Sequence, residues 1–155
     1  MADNQQVVKE IEPTLFIGLG GTGGEVVARV KRKFELYFAT ASPEEQARAG
    51  LLQYLVTDTA TYGLLSQTAR SVLDRDRDFV YLGGFNGAEY VHQQVGVNPD
   101  LREWWDPRYY VPNKLIDNGA SAVRMLGRVC LFRSAAEAQG IIPFAVLNDY
   151  LRLSV

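Results

Sequence analysis

The chain has 155 residues, 47% of them hydrophobic and 22% charged, which is enough for one soluble domain with a real apolar core. Its net charge of −2 offers no bulk attraction to nucleic acid or to an anionic membrane, so neither is expected as a partner. The single cysteine, Cys130, excludes an internal disulfide; with a polar N-terminus (MADNQQVVKE) and no apolar run of about 18–20 residues, the expectation is a cytoplasmic protein.

Residues 1–12 read as a polar lead-in and residues 13–155 as one α/β unit. Thr14–Ile17 is a short apolar run, the pattern of a buried parallel strand. Glycines follow, and from Glu25 the pattern turns helical. Val26, Val30, Phe34 and Phe38 recur every four residues and predict the packing face, while Lys31, Arg32, Lys33 and Glu35 are expected mostly on a solvated side. Ser42-Pro43-Glu44-Glu45 predicts a new helix with Ser42 as N-cap, Pro43 at the first position and Glu45 as the reciprocal cap, ending near Gly50. LLQYLVTD reads as a second strand over residues 51–57, with Asp58 at its carboxyl end. Residues 61–74 read as a loop entering a short helix, and DFVYLGG as a third strand at about 79–83. The run Asp74-Arg75-Asp76-Arg77-Asp78 is expected to be a solvated, self-compensating turn; it lacks the glycine and terminal glutamate of a calcium loop.

Residues 84–118 predict an irregular excursion, punctuated by Gly84, Gly87, Gly96, Asn98-Pro99, Asp106-Pro107 and Pro112. Its aromatics, Trp104, Trp105, Tyr109 and Tyr110, are expected to pin it to the body of the domain, because base stacking normally comes with interleaved basic residues. Gly119-Ala120 opens another turn before a helix at about 122–133. Ser134–Glu137 has the form of a second capping box, and Pro143 predicts a last helix with Phe144, Leu147 and Leu151 inward. His92, the only histidine, is expected at the surface, and Cys130, in VCLF, as a packed small hydrophobe. No Cys/His/Asp/Glu cluster has zinc spacing, and no metal ligand or catalytic residue is assigned.

Strand–helix–strand–helix–strand order implies a Rossmann-like parallel sheet, with ligands at the carboxyl ends of its strands. Gly18–Gly24, Asp58, Gly83-Gly84 and Gly119-Ala120 would gather there. Gly18-Leu19-Gly20-Gly21-Thr22-Gly23 matches G-x-G-x-x-G between a strand and a helix, the context that gives the pattern meaning. Without Cβ atoms, the backbone N–H groups of such a loop approach an anion closely, and the following helix adds its unpaired N–H groups and the positive end of its dipole. Thr22 offers a hydroxyl to a phosphate oxygen. Five glycines at 18, 20, 21, 23 and 24 exceed the needs of a tight turn. The loop has no lysine, which excludes a G-x-x-x-x-G-K-[ST] loop. Asp58 has two open readings, a ribose acceptor or an organiser of the next turn. It lies farther from Gly23 than the roughly 20 positions of a dinucleotide site.

IGLGGTGGE resembles the first phosphate loop of the tubulin/FtsZ superfamily, and LVTDTA resembles its second-strand motif. Gly119-Ala120-Ser121-Ala122 followed by Gly127-Arg128 resembles its third loop. PTLFIGLGGTGGEVVARVKRKF and GAxAVRxLGRxxLF look most like the large bacterial tubulin-like proteins. The resemblance implies a three-stranded half of a tubulin-type nucleotide-binding domain, incomplete as given, that binds GTP or GDP, with Mg2+ arriving with the nucleotide. It implies that Gly18, Gly20, Gly21, Thr22, Gly23 and Gly24 form the phosphate loop and that Thr57 and Asp58 lie near the ribose or that loop. Gly119, Ala120 and Ser121 would lie against the γ-phosphate, with Arg124 or Arg128 near it. It further implies self-association, with hydrolysis assisted by acidic residues of a neighbouring subunit. The chain departs from the pattern: Ser121 stands where a glycine is usual, and neither the G-G-G-T-G-[ST] loop nor the acidic loop is present. The expectation is therefore the N-terminal part of a longer protein. Two other readings remain, a Rossmann-type NAD(P)- or FAD-binding oxidoreductase and a non-catalytic interaction domain with a vestigial nucleotide site.

Overall fold

A computed structural model describes residues 11–106, 108, 115–116, 119–120 and 124–137. β1 (Thr14–Leu19), β2 (Leu52–Asp58) and β3 (Phe79–Tyr81) form a parallel sheet in the order β1-β2-β3. Thr14 pairs with Leu52 and Leu19 with Thr57; Val56 pairs with Phe79 and Asp58 with Tyr81. Between β1 and β2 run the long helix α1 (Gly20–Thr40), the short α2 (Pro43–Ala47) and a 3-10 turn at Arg48–Leu51. A second 3-10 turn (Tyr62–Leu64) and α3 (Gln67–Arg70) precede β3. This is the expected Rossmann-like α/β arrangement. Among the described residues, no helix is long and apolar enough to cross a membrane.

Strand alternation divides the apolar residues between two cores. Val56 and Phe79 join Val27, Ala28, Leu65, Ala69 and Leu73 beneath α1 and α3, with Phe16 packed on them. Leu55 and Val80, one residue out of phase, join Leu82, Ile116, Leu126 and Cys130 on the opposite face, with Leu15 packed on them. That second core is roofed by α6 (Arg124–Glu137). Cys130 is the packed hydrophobe expected, and burial pushes its thiol up to about 12.

The packing face of α1 differs from the predicted one. Val26 is 57% exposed, and the helix turns Gly24, Val27 and Ala28 into the core. A row spaced by four residues drifts about 40° per step around a helix of 3.6 residues per turn, so it cannot stay on one face. The buried stripe follows the i, i+3, i+4, i+7 spacing and ends on Lys31. Lys31 is not on a solvated side: its Nζ donates to Asp78 Oδ2 at 2.5 Å, with side chains 17% and 2% exposed. The same oxygen accepts the Asp74 N–H at 2.8 Å. Asp78 thus departs from the solvated turn expected for residues 74–78, because it closes the turn onto the sheet; its carbonyl also accepts from Val56 N–H at 2.7 Å. Tyr54 lies beside this pair. Burial, and then the negative charges of Glu35 and Asp78, push its phenol up to about 12.

The capping box at α2 forms as predicted: Ser42 Oγ accepts from Glu45 N–H at 3.3 Å, and Glu45 Oε2 accepts from Ser42 N–H at 3.0 Å. Tyr37 Oη donates to the other Glu45 oxygen at 2.6 Å, and this bond, ahead of those from Ser42, holds the Glu45 carboxyl below its ordinary value of 4.5. Ser42→Ala should cost about 1 kcal/mol in urea unfolding at pH 7. A carboxyl depressed in the folded state contributes fully above its unfolded pKa and loses that contribution as pH falls through the lower folded value. The Ser42→Ala deficit should therefore shrink below pH 4.5, and a deficit that grows on acidification would contradict this account of the cap.

Residues 84–118, expected to be irregular, carry β4 (Phe85–Asn86), α4 (Gly87–Gln94), α5 (Pro99–Trp104) and β5 (Leu115–Ile116) among the described residues. β4 and β5 pair antiparallel. Two of the signals read as breakers mark helix starts: Gly87 is the first residue of α4, capped by Asn86, which accepts from Glu89 N–H, and Asn98 caps α5, accepting from Leu101 N–H, with Pro99 as a first-turn proline. Trp104 and Trp105 pack half-buried against Val91, Leu101 and Val129, pinning this segment as expected. His92 is exposed. α6 runs through Ser134 without a new start; a capping serine needs extended backbone, and residue 134 is helical. The helix predicted from Pro143, and Tyr109, Tyr110 and Pro112, lie outside the described residues.

Candidate functional site

β1 passes into α1 without a loop. Leu19 is extended and Gly20, at φ +69°, is already the first helical residue, so the helix begins five residues before the predicted Glu25. The glycines explain the abruptness. A Cβ on Gly18 would meet the Gly23 carbonyl oxygen at 2.6 Å, and one on Gly23 would meet the Gly18 carbonyl carbon at 2.9 Å. A Cβ on Gly24 would meet Val56 Cγ1 at 3.1 Å. Gly18, Gly23 and Gly24 therefore let α1 lie directly on the sheet. Gly20 has nothing within 4 Å of its Cβ position, and Gly21 meets only Asp58 Oδ2, at 3.9 Å. These two face open space.

That space is a cleft of about 820 Å3 lined by Leu19, Gly20, Gly21 and Thr22, by Thr57, Asp58 and Thr59, by Gly119 and Ala120, and by Gly127 and Arg128, with Leu82 and Leu131 as apolar walls. Of the residues singled out from sequence, Gly20, Gly21, Thr22, Thr57, Asp58, Gly119, Ala120 and Arg128 come together here. Gly18, Gly23 and Gly24 lie behind the lining. Arg124 is the first residue of α6, and Ser121 lies outside the described residues.

The N-terminus of α1 is open. α2, α3, α4 and α5 each begin with a side chain that accepts from a first-turn N–H: Ser42, Ser66, Asn86 and Asn98. α1, with 21 residues against 4 to 8 in these four, follows Leu19, which has no capping atom, and has no acidic residue in its first turn. Up to four first-turn N–H groups of a helix lack intrahelical partners, and with the dipole they form an anion-binding end.

Alternation along β2 distributes the other polar groups. Asp58 shares the α1 side with Val56, which brings Oδ2 beside Gly21, while Oδ1 accepts from Ala60 N–H at 2.9 Å. Asp58 thus organises its turn with one oxygen, the second of its two readings, and faces the glycine loop with the other. Thr57 and Thr59 share the opposite side with Leu55, and both are buried. Thr59 Oγ1 accepts from Ala120 N–H at 2.8 Å. Gly119 takes φ +96°, where an L side chain would be strained. Arg128 places its guanidinium 4.3 Å from the Trp104 ring centroid. Thr59, Leu82 and Leu131 were not singled out from sequence, and Gly127 only as the neighbour of Arg128 in the third-loop motif. The T-D-T alternation at the end of β2 was the available sign for Thr59; the leucines carried none. Among the described residues, no group of three or more His, Cys, Asp or Glu could hold a metal ion.

A protein-family model described as "Tubulin like" matches residues 15–146. No curated protein and no solved structure matches the chain.

Proposed function

The chain belongs to the tubulin-like family, and from that premise we propose that its cleft binds a guanine nucleotide by the phosphates. The observation that carries the reading is the open N-terminus of α1: Gly20, Gly21 and Thr22 present uncapped backbone N–H groups to a cleft large enough for a nucleotide. Gly119 and Ala120 line the same cleft, as the resemblance to a third phosphate loop implies. In this reading Gly20–Thr22 hold the phosphate chain, with the Thr22 hydroxyl as a further donor. Arg128 supplies positive charge from the α6 side. Asp58 is the carboxylate that a magnesium ion carried by the phosphates would meet. Bound phosphates held in line by such donors are positioned for attack at a terminal phosphorus, the contribution a preorganised site makes to hydrolysis. Self-association belongs to the same proposal.

The alternative is a dinucleotide site, in which Asp58 takes a ribose and Gly119–Ala120 has no phosphate role. Titration of the intact protein with GTP, GDP and NAD+ by calorimetry separates the two. Saturable binding of GTP and GDP that excess NAD+ does not displace is the expected result. Binding of NAD+ but not of GTP would overturn the proposal, and binding of neither would favour a vestigial site.

A further inference from the structure

The two loops on either side of the cleft are joined through the end of β2. Asp58 Oδ2 stands beside Gly21 on the α1 side, and one residue later Thr59 Oγ1 accepts the Ala120 N–H at 2.8 Å on the α6 side. The residues involved are 61 positions apart in sequence, and Thr59 is 8% exposed. Ala60, the next residue, donates its N–H to Asp58 Oδ1, and its Cβ lies 3.9 Å from the Cβ position of Gly119. The position of Gly119-Ala120 is thus set by a buried hydroxyl on the strand that also carries Asp58.

We propose that Thr59 is a positioning residue that fixes the spacing of the two phosphate-facing walls and thereby makes the cleft selective for a polyphosphate over a monophosphate; this rests on the nucleotide reading above. A single phosphate is satisfied at the N-terminus of α1, where the N–H donors are. A longer phosphate chain extends toward the opposite wall, and only then does the placement of Gly119-Ala120 matter. Removing the hydroxyl leaves the Ala120 N–H without its acceptor and frees the loop.

The test is Thr59→Val and Thr59→Ser in the intact protein, with GTP and GMP as probes and amide exchange at Ala120 read without nucleotide. Thr59→Val should weaken GTP about tenfold and GMP by less than threefold, and should speed Ala120 exchange at least tenfold. Thr59→Ser, which keeps the oxygen, should restore both to within threefold. Unchanged Ala120 exchange in Thr59→Val, equal weakening of GTP and GMP, or failure of serine to rescue would overturn the proposal. If the wild type binds neither probe, the nucleotide reading fails and selectivity falls with it. Exchange at Ala120 then still decides whether Thr59 holds the loop.

Discussion

Replacing Asp78 with alanine should destabilise the fold by about 3 kcal/mol, the lower end of the range for breaking a buried ion pair, because Lys31 keeps some contact with solvent. The carboxylate is 2% exposed and takes both the Lys31 ammonium and the Asp74 N–H on one oxygen. Truncation leaves a backbone donor with no acceptor and a half-buried cation beside the Tyr54 ring, 5.7 Å from its centroid. Asp78→Asn retains an acceptor for Asp74 and should lose less. Lys31→Met should lose stability as well, and the double variant Lys31→Met/Asp78→Asn should lose less than the sum of the two. Urea denaturation with the slope held constant measures all four. A loss under 1 kcal/mol for Asp78→Ala would mean that the pair is replaceable by water.

A methyl at Gly21 should separate binding from stability. Its Cβ position meets only Asp58 Oδ2, at an ordinary contact distance of 3.9 Å, and lies in the first turn of α1. Gly21→Ala should leave the fold as stable as before or up to about 1 kcal/mol more stable, through the helix preference of alanine. It should nonetheless weaken GTP at least tenfold, because the phosphates lose close approach to the backbone. Gly18→Ala should do the reverse of the first effect: its methyl meets the Gly23 carbonyl oxygen at 2.6 Å, and overpacking of α1 on β1 should cost about 1–3 kcal/mol. Thermal unfolding and GTP titration of the two variants distinguish a glycine kept for packing from one kept for access. Equal GTP affinity of Gly21→Ala and wild type would remove the phosphate role of the loop.

These contrasts mark what could be read from the residues and what could not. The β1–glycine–α1 unit and the capping box at Ser42 were legible because each rests on local chemistry: a short apolar run, Cβ-free positions, and a hydroxyl three residues before a carboxylate. The convergence of Gly20–Thr22 and Asp58 was legible because parallel strands deliver their carboxyl ends to one edge; Gly119 follows β5 of the antiparallel pair, so that rule does not account for its place in the cleft. The division of labour within the glycines was not, since Gly18 and Gly20 look alike in sequence and differ only in what their missing Cβ atoms would meet. The destination of Lys31 was hidden for a similar reason. A charged residue on the inner stripe of α1 is readable only with its partner, and Asp78 lies 47 positions away. Asn98 was ambiguous between turn and helix cap, because the same side-chain oxygen serves both. Thr59 was overlooked beside the more conspicuous Asp58.

The central claim is that a nucleotide's phosphates sit at the open end of α1. Amide chemical-shift mapping of the intact protein during titration with GTP tests it most directly. The account predicts that the largest saturable shifts fall on Gly20, Gly21 and Thr22, with a second set at Asp58, Gly119 and Ala120. Shifts concentrated instead on the outer groove of α1, at Val30, Phe34 and Tyr37, with Gly20–Thr22 unmoved at saturation, would contradict it.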